Sequence, residues 1–177
     1  LELLSEFGML GCKPVKTPLE TNLVFKRESD LDSSDCVVNI TKFQKLIGKL
    51  IYLTMTHPYI SYVVQILSQY MHKPYKSQLN VAFRLLRYLK ESPGKGIHIT
   101  KNNSLDLVAF VDVDWTKCLF SRRSVTGFLV YFGGCLVSWK SKKQSTVSRS
   151  STESEYRALG SIACEVIWIL KLLCDCG

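Results

Sequence analysis

Two long stretches of this chain contain no acidic residue. Between Cys36 and Lys90 there are eight Lys or Arg and neither Asp nor Glu; between Trp115 and Thr152 there are seven and again no acid. Solvated faces of ordinary enzymes mix the two signs, so such absences point to something polyanionic lying across both stretches. Nucleic acid is the first candidate and a cytoplasmic membrane surface the weaker one. Other absences narrow the field further. No apolar run approaches the roughly 20 residues that a membrane span needs. The start, Leu1-Glu2-Leu3-Leu4, has neither an initiator Met nor a signal peptide's basic start and cleavage site, so the sequence reads as cut from something longer. No C-x-x-C pair occurs among the seven Cys, at 12, 36, 118, 135, 164, 174 and 176, which argues against a zinc ribbon or a thioredoxin motif. Reduced thiols used as small apolar residues of an intracellular protein are expected instead. A Gly-rich phosphate loop, H-E-x-x-H and G-x-S-x-G are all missing. His57, His72 and His98 fall near turns and helix ends, where surface roles are expected. That leaves the carboxylates to carry any chemistry.

The 177 residues, 46% hydrophobic and 21% charged, have the profile of a globular protein. Residues 1–12 are expected to form a short helix ending near Gly11, and Pro14 and Pro18 make Lys13–Leu19 extended. Glu28–Asp35 reads as a polar surface loop. Three helical stripes follow: Phe43, Leu46, Ile47, Leu50 and Leu53; then Ile60, Val63, Val64, Leu67 and Met71; then Leu79, Ala82, Phe83, Leu86 and Leu89. Short connections make them a small bundle. The cations on the outer faces, Lys42, Lys45, Lys49, Arg84 and Arg87, are placed to track a phosphate backbone. Pro93, Gly94 and Gly96 then mark a boundary.

Beyond it the pattern becomes strand-like. Ile97–Thr100 reads as a short strand. Leu105–Trp115, apolar on both faces, is expected inside a sheet covered on both sides. Ser124–Phe132, a Gly133-Gly134 turn and Cys135–Lys143 make a hairpin. Ser150-x-x-Glu153 is a capping box that opens a long helix, with an apolar stripe through Tyr156, Leu159, Ala163, Val166/Ile167, Leu170 and Leu173. The fold class is α+β, with a helical segment at 1–92 followed by a domain at 97–177 built from a three-stranded antiparallel meander and one long helix.

Asp112 and Asp114, two apart near a strand end, point to one face of the sheet. Two readings of this pair stay open. In one, the carboxylates face Mg²⁺, a hard ion that takes oxygen ligands. In the other, Asp114 starts a turn and Asp112 pairs with Arg122 or Arg123. A third reading, as the D-x-D of a sugar-nucleotide transferase, lacks a preceding nucleotide-binding βαβ unit. Glu153 is occupied by the capping box, which leaves Glu155 as the freer acid, on the sheet-facing side of the helix or at its edge. From there it is expected to approach the Asp112 end of the strand. Two carboxylates from different elements amid basic segments are part of a nucleic-acid-cutting Mg²⁺ site, the acids holding the ions and the cations the phosphates. The cations expected to do so are Arg122, Arg123, Lys140, Lys142, Lys143 and Arg149.

The phrases FVDVDW and RRSVTGFLVYFGGCLVSWKSKKQSTVSRSSTESEYRAL closely resemble the RNase H domain of copia-type LTR retrotransposon Pol polyproteins, especially plant ones. LGCKPVKTPLETN, FQKLIGKLIYLTMTHPYISYVVQILSQYMHKP and RLLRYLKESPGKGI look like the end of the reverse transcriptase and its link to RNase H, so the resemblance covers nearly the whole chain. It implies a mixed five-stranded sheet with helices, and cleavage of the RNA strand of an RNA–DNA hybrid by a metal-bound water, with two Mg²⁺ ions held by Asp and Glu residues. Asp112 matches the family's first Asp. Glu155, in E-Y-x-A-L, matches its Glu. The family's later catalytic Asp residues and completing strands lie beyond Gly177, and the polymerase's own catalytic aspartates lie upstream. A truncated RNase H-like fold with weak Mg²⁺ binding, little or no nuclease activity alone and exposed apolar sheet surface is therefore expected. Its expected partners are nucleic acid, above all an RNA–DNA hybrid, and the remainder of a Pol polyprotein. The expected location is inside the cell, in the cytoplasm, a virus-like particle or the nucleus, with no membrane role and no secretion.

Overall fold

The structure, a computed structural model, describes residues 2–20, 39–101, 104–118 and 121–176. The chain divides into two compact units, Leu1–Gly96 and Ile97–Gly177. The first is helical and the second combines a sheet with a helix, so the class is α+β.

In the first unit, α1 (Glu2–Glu6) is followed by α2 (Ile40–Leu53), a 3-10 turn at Pro58–Ile60, α3 (Ser61–Ser68) and α4 (Lys76–Glu91). The Asn39 side chain accepts the Lys42 N–H at 2.8 Å and so caps α2. The expected stripes hold on α2 and α3: Phe43, Leu46, Ile47 and Leu50 are buried against Ile60, Val63, Val64 and Leu67. On α4 the buried row is rotated to Gln78, Val81, Ala82, Leu85, Leu86 and Leu89. The cause is polar. The buried Gln78 amide oxygen accepts the Tyr75 N–H at 3.0 Å and the Ser77 hydroxyl at 3.2 Å, and this ties the helix start inward. Leu79 and Phe83 pack at the edge of the core instead. The first helix, expected to reach Gly11, stops at Glu6 because the chain turns through Gly8 at φ +70°, a conformation glycine adopts without penalty. The polar loop expected at Glu28–Asp35 lies outside the described residues.

The outer cations of this unit have another use than the one expected. Arg84 donates to the Glu20 carboxylate at 2.8 Å and to the Thr17 hydroxyl at 2.9 Å. Arg87 Nε donates to the Lys13 carbonyl at 2.7 Å, and Lys90 to the carbonyls of Leu10 and Cys12. Lys45 and Lys49 close on Glu6. The segment Leu10–Lys13, just before the first proline, has no strand or helix to satisfy its carbonyls, so the cations of α4 supply donors.

The second unit is an antiparallel sheet in the order β1-β2-β3, made of β1 (Leu107–Asp114), β2 (Val125–Phe132) and β3 (Cys135–Lys143), followed by α5 (Ser151–Asp175). Gly133 and Gly134, at φ 55° and 78°, make the two-residue turn between β2 and β3. Leu107, Val111, Phe128 and Val130 face α5, where they meet Ile162, Val166, Ile169 and Leu173. Three expectations are corrected here. Ile97–Thr100 forms no strand; the Thr100 N–H donates instead to the Cys135 sulfur at 3.3 Å. Among the described strands β1 is an edge and α5 covers only one of its faces, so Phe110 on the other face is 58% exposed. On α5 the buried row is Ser154, Ala158, Ile162 and Ile169, while Tyr156 is 71% exposed. The rotation is set by polar ties: Gln144 Nε2 donates to the Ser154 carbonyl at 2.9 Å and the Ser138 hydroxyl to Glu165 at 2.7 Å. No helix among the described residues is long and apolar enough to cross a membrane.

The two faces of the sheet differ in energy as well as exposure. Phe128→Ala is expected to cost about 3–5 kcal/mol in urea unfolding and Phe110→Ala under about 1 kcal/mol; equal costs would mean that the helix covers the wrong face.

Candidate functional site

Strand alternation and register decide where each candidate residue stands. Asp112 pairs across the ladder with Gly127, and Gly127 with Ser141; Asp114 pairs with Val125, and Val125 with Lys143. Directly opposed residues share a face, so Asp112, Asp114 and Lys143 lie together on the sheet face away from α5. Asp112 stands beside a residue with no side chain, which leaves its carboxylate open on the strand side. Lys140 and Lys142 pair with Phe128 and Thr126, on the α5 face, and reach solvent at the β3 edge. The basic residues of β3 are thus divided between the two faces of the sheet.

Arg122 and Arg123 lie in the connection from β1 to β2. Arg122 takes φ 54°, held by its N–H donating to the Cys118 carbonyl at 2.7 Å, and Thr116 is also left-handed at φ 50°. Two non-glycine residues in that region are uncommon, and Asx-poor loops tolerate them only where surrounding bonds fix the backbone. Here the Cys118 N–H donates back to the Arg123 carbonyl at 3.2 Å, and the Thr116 N–H donates to the buried Ser124 hydroxyl at 3.3 Å. Arg149 immediately precedes the Ser150 cap of α5.

The four acids of the region sort into two kinds. Asp114 pairs with Lys117 at 3.4 Å. Glu153 accepts the Arg149 N–H at 2.7 Å and two nitrogens of Arg157, while its own N–H donates to Ser150 at 3.1 Å. Half of the expected capping box forms: Ser150 accepts the Glu153 N–H, but the Glu153 carboxylate takes the N–H of Arg149 rather than that of Ser150. These contacts, the Arg149 backbone N–H first and the Arg157 guanidinium second, hold the Glu153 carboxyl below its ordinary range. Asp112 and Glu155, by contrast, are exposed, and neither has a hydrogen-bond or ion-pair partner among the described residues. The expected approach of the two is corrected: Glu155 stands off the buried row of α5 rather than on its sheet-facing side, and Asp112 lies on the sheet face away from that helix. The alternative pairing of Asp112 with Arg122 or Arg123 is not formed. Nor does the structure gather a closed metal site: among the described residues no three His, Cys, Asp or Glu side chains come together. Two functional neighbours escaped the sequence reading. Lys117, at i+3 from Asp114, was signalled by its spacing; Gln144, which joins Thr126 at 3.0 Å to the start of α5, had no signal in sequence.

No protein-family model matches the chain, and no solved structure does. Among curated proteins, the uncharacterized mitochondrial protein AtMg00810 of Arabidopsis thaliana is 44% identical over 169 residues, 94% of this chain and 68% of that protein. The retrovirus-related Pol polyprotein from transposon RE2 of the same plant is 41% identical over the whole chain, which spans only 12% of it. Secreted RxLR effector protein 161 of Plasmopara viticola is 39% identical over 70% of the chain and 87% of its own length.

The Glu153 contacts link α5 to pH. A carboxyl depressed in the folded state adds stability that is complete above the unfolded value and is lost as pH falls through the folded one. Cap stability is therefore expected to decline below the ordinary value of 4.5. Thermal melts by circular dichroism should show that decline reduced in Glu153→Gln; an unchanged pH dependence would contradict the assignment.

Proposed function

The chain belongs to the family of retrovirus-related Pol polyproteins of transposons, and from that membership we propose that it joins the end of a reverse transcriptase to the first half of an RNase H domain. Hydrolysis of the RNA strand of an RNA–DNA hybrid is the activity this reading assigns to the whole domain. One observation supports this reading above the others: of two closely spaced acid pairs, one member of each is held by local structure, and the other, Asp112 or Glu155, is free and exposed. A structural acid would be expected to have a partner; a metal-binding acid waits for one.

In this reading Asp112, at the end of β1, and Glu155, at the start of α5, are the carboxylates that would hold Mg²⁺ once nucleic acid and the rest of the domain draw them to one site, and the ion would supply Lewis-acid stabilisation of phosphodiester oxygens. Two carboxylates are too few for tight binding, since Mg²⁺ so held relies on water and substrate phosphate for its remaining ligands. Lys143 stands on the face of Asp112 and takes the nearest phosphate. Arg122, Arg123 and Arg149 extend the contact beyond the strand ends, and Lys140 and Lys142 widen it over the β3 edge. The partners are an RNA–DNA hybrid and the remainder of the polyprotein, in the cytoplasm or a virus-like particle. A second reading, a nucleic-acid-binding remnant without catalysis, draws support from relatives as short as the effector protein, most of whose length this chain spans.

The test is cleavage of a labelled hybrid in Mg²⁺ and Mn²⁺. The chain alone is expected to bind the hybrid in a salt-sensitive way and leave it intact. Mixed with the second half of an RNase H domain from a Pol relative, it is expected to cut, and to stop cutting in Asp112→Asn or Glu155→Gln. Cutting that persists in both variants would sink the catalytic assignment, and binding with no cutting in any mixture would favour the remnant.

A further inference from the structure

Trp115 follows the last residue of β1 and remains 47% exposed. An indole is among the largest apolar groups a chain can bury, so leaving one open at a strand end calls for a reason. This ring is held in place. Its Nε1 donates to the Ser148 carbonyl at 3.3 Å, a contact that joins residues 33 apart in sequence. The indole edge is thereby pinned to the segment that leads into α5, while the ring has no aromatic partner among the described residues. Trp115 lies three positions after Asp112, about 10 Å along the chain at 3.3 Å per residue.

Its neighbours are cationic. Arg149 follows the residue that anchors the indole; it is exposed, and its guanidinium makes no hydrogen bond among the described residues. Lys117 lies two positions after the ring, its side chain half exposed. A pinned aromatic face beside an exposed guanidinium matches the way single strands are bound, with a base stacked on the ring and its phosphate on the charge. Bases inside a duplex are already stacked on one another, so an unpaired base is the fitting ligand.

We propose that Trp115 is a stacking platform for an unpaired nucleobase, with Arg149 taking the adjoining phosphate. The proposal rests on the nucleic-acid reading given above and narrows it. The chain prefers a strand with a single-stranded segment over a blunt hybrid, and the preference resides at the junction of β1 and α5.

The experiment uses the full chain, a labelled single-stranded RNA, a blunt RNA–DNA hybrid and fluorescence anisotropy. Trp115→Ala is expected to weaken single-strand binding by about tenfold or more, and Trp115→Phe, which keeps a ring, by less than about threefold. Arg149→Gln should lower the slope of log affinity against log salt by about one. Indole fluorescence should be quenched on binding, and the quenched component should be missing in Trp115→Phe. That arm decides the matter if Trp115→Ala fails to fold by circular dichroism. Binding by the natural chain that Trp115→Ala leaves within about twofold, or quenching that survives Trp115→Phe, would overturn the platform and leave the nucleic-acid reading standing. Failure of the natural chain to bind either nucleic acid would overturn both.

Discussion

The arrangement of the second unit depends on the register of its hairpin. Gly133 and Gly134 both take left-handed angles, which side chains resist, and so make a two-residue turn whose twist suits the flanking strands. That turn sets β3 against β2, and β1 is then laid along β2 with Leu107 opposite Phe132. Slipping any of these pairings by one residue would exchange the two faces of the sheet. In the register observed, Val111 and Phe128 meet α5 while Asp112 and Asp114 stay clear of it. Apolar packing on one face and the two aspartates on the other are two consequences of the same alignment.

The charge of the molecule divides along similar lines. In the first unit, cations that sequence alone would assign to a polyanion are bound to the chain's own carbonyls and to two glutamates. In the second, Lys143 donates to the Cys118 sulfur at 3.8 Å, while the Arg149 guanidinium makes no hydrogen bond among the described residues. A run without acid therefore has two possible meanings. Cations can satisfy an extended segment that lacks a ladder, or they can await a ligand, and only the position of each side chain separates the cases.

Local signals were legible in the sequence where a single physical cause dominates. Helical spacing identified the buried rows of α2 and α3, the glycine pair located the hairpin, and Ser150 with Glu153 marked the start of α5. Reading failed where two causes compete. The long helix is apolar around much of its girth, so periodicity could not choose between the Tyr156 row and the Ala158 row; Ser138 of β3 and Gln144 just after it made that choice through hydrogen bonds to the helix. Gln78 rotated α4 in the same way. The hydrophobicity of β1 suggested cover on both faces, yet α5 covers one. Of the candidate site, spacing put Asp112 and Asp114 on one face and the capping box left Glu155 free. Strand alternation alone sets Lys140 and Lys142 opposite Lys143, but spacing did not reveal which of the two faces meets α5, because that depends on the register with β2.

The central claim is that Asp112 and Glu155, from separate elements, serve one metal-dependent site on nucleic acid. Paramagnetic broadening of backbone amide resonances by Mn²⁺, in the presence of an RNA–DNA hybrid, tests it most directly. The account requires broadening centred on the residues around Asp112 and Glu155, reduced at both places by Asp112→Asn. Broadening centred elsewhere, or unaffected by that substitution, would contradict it.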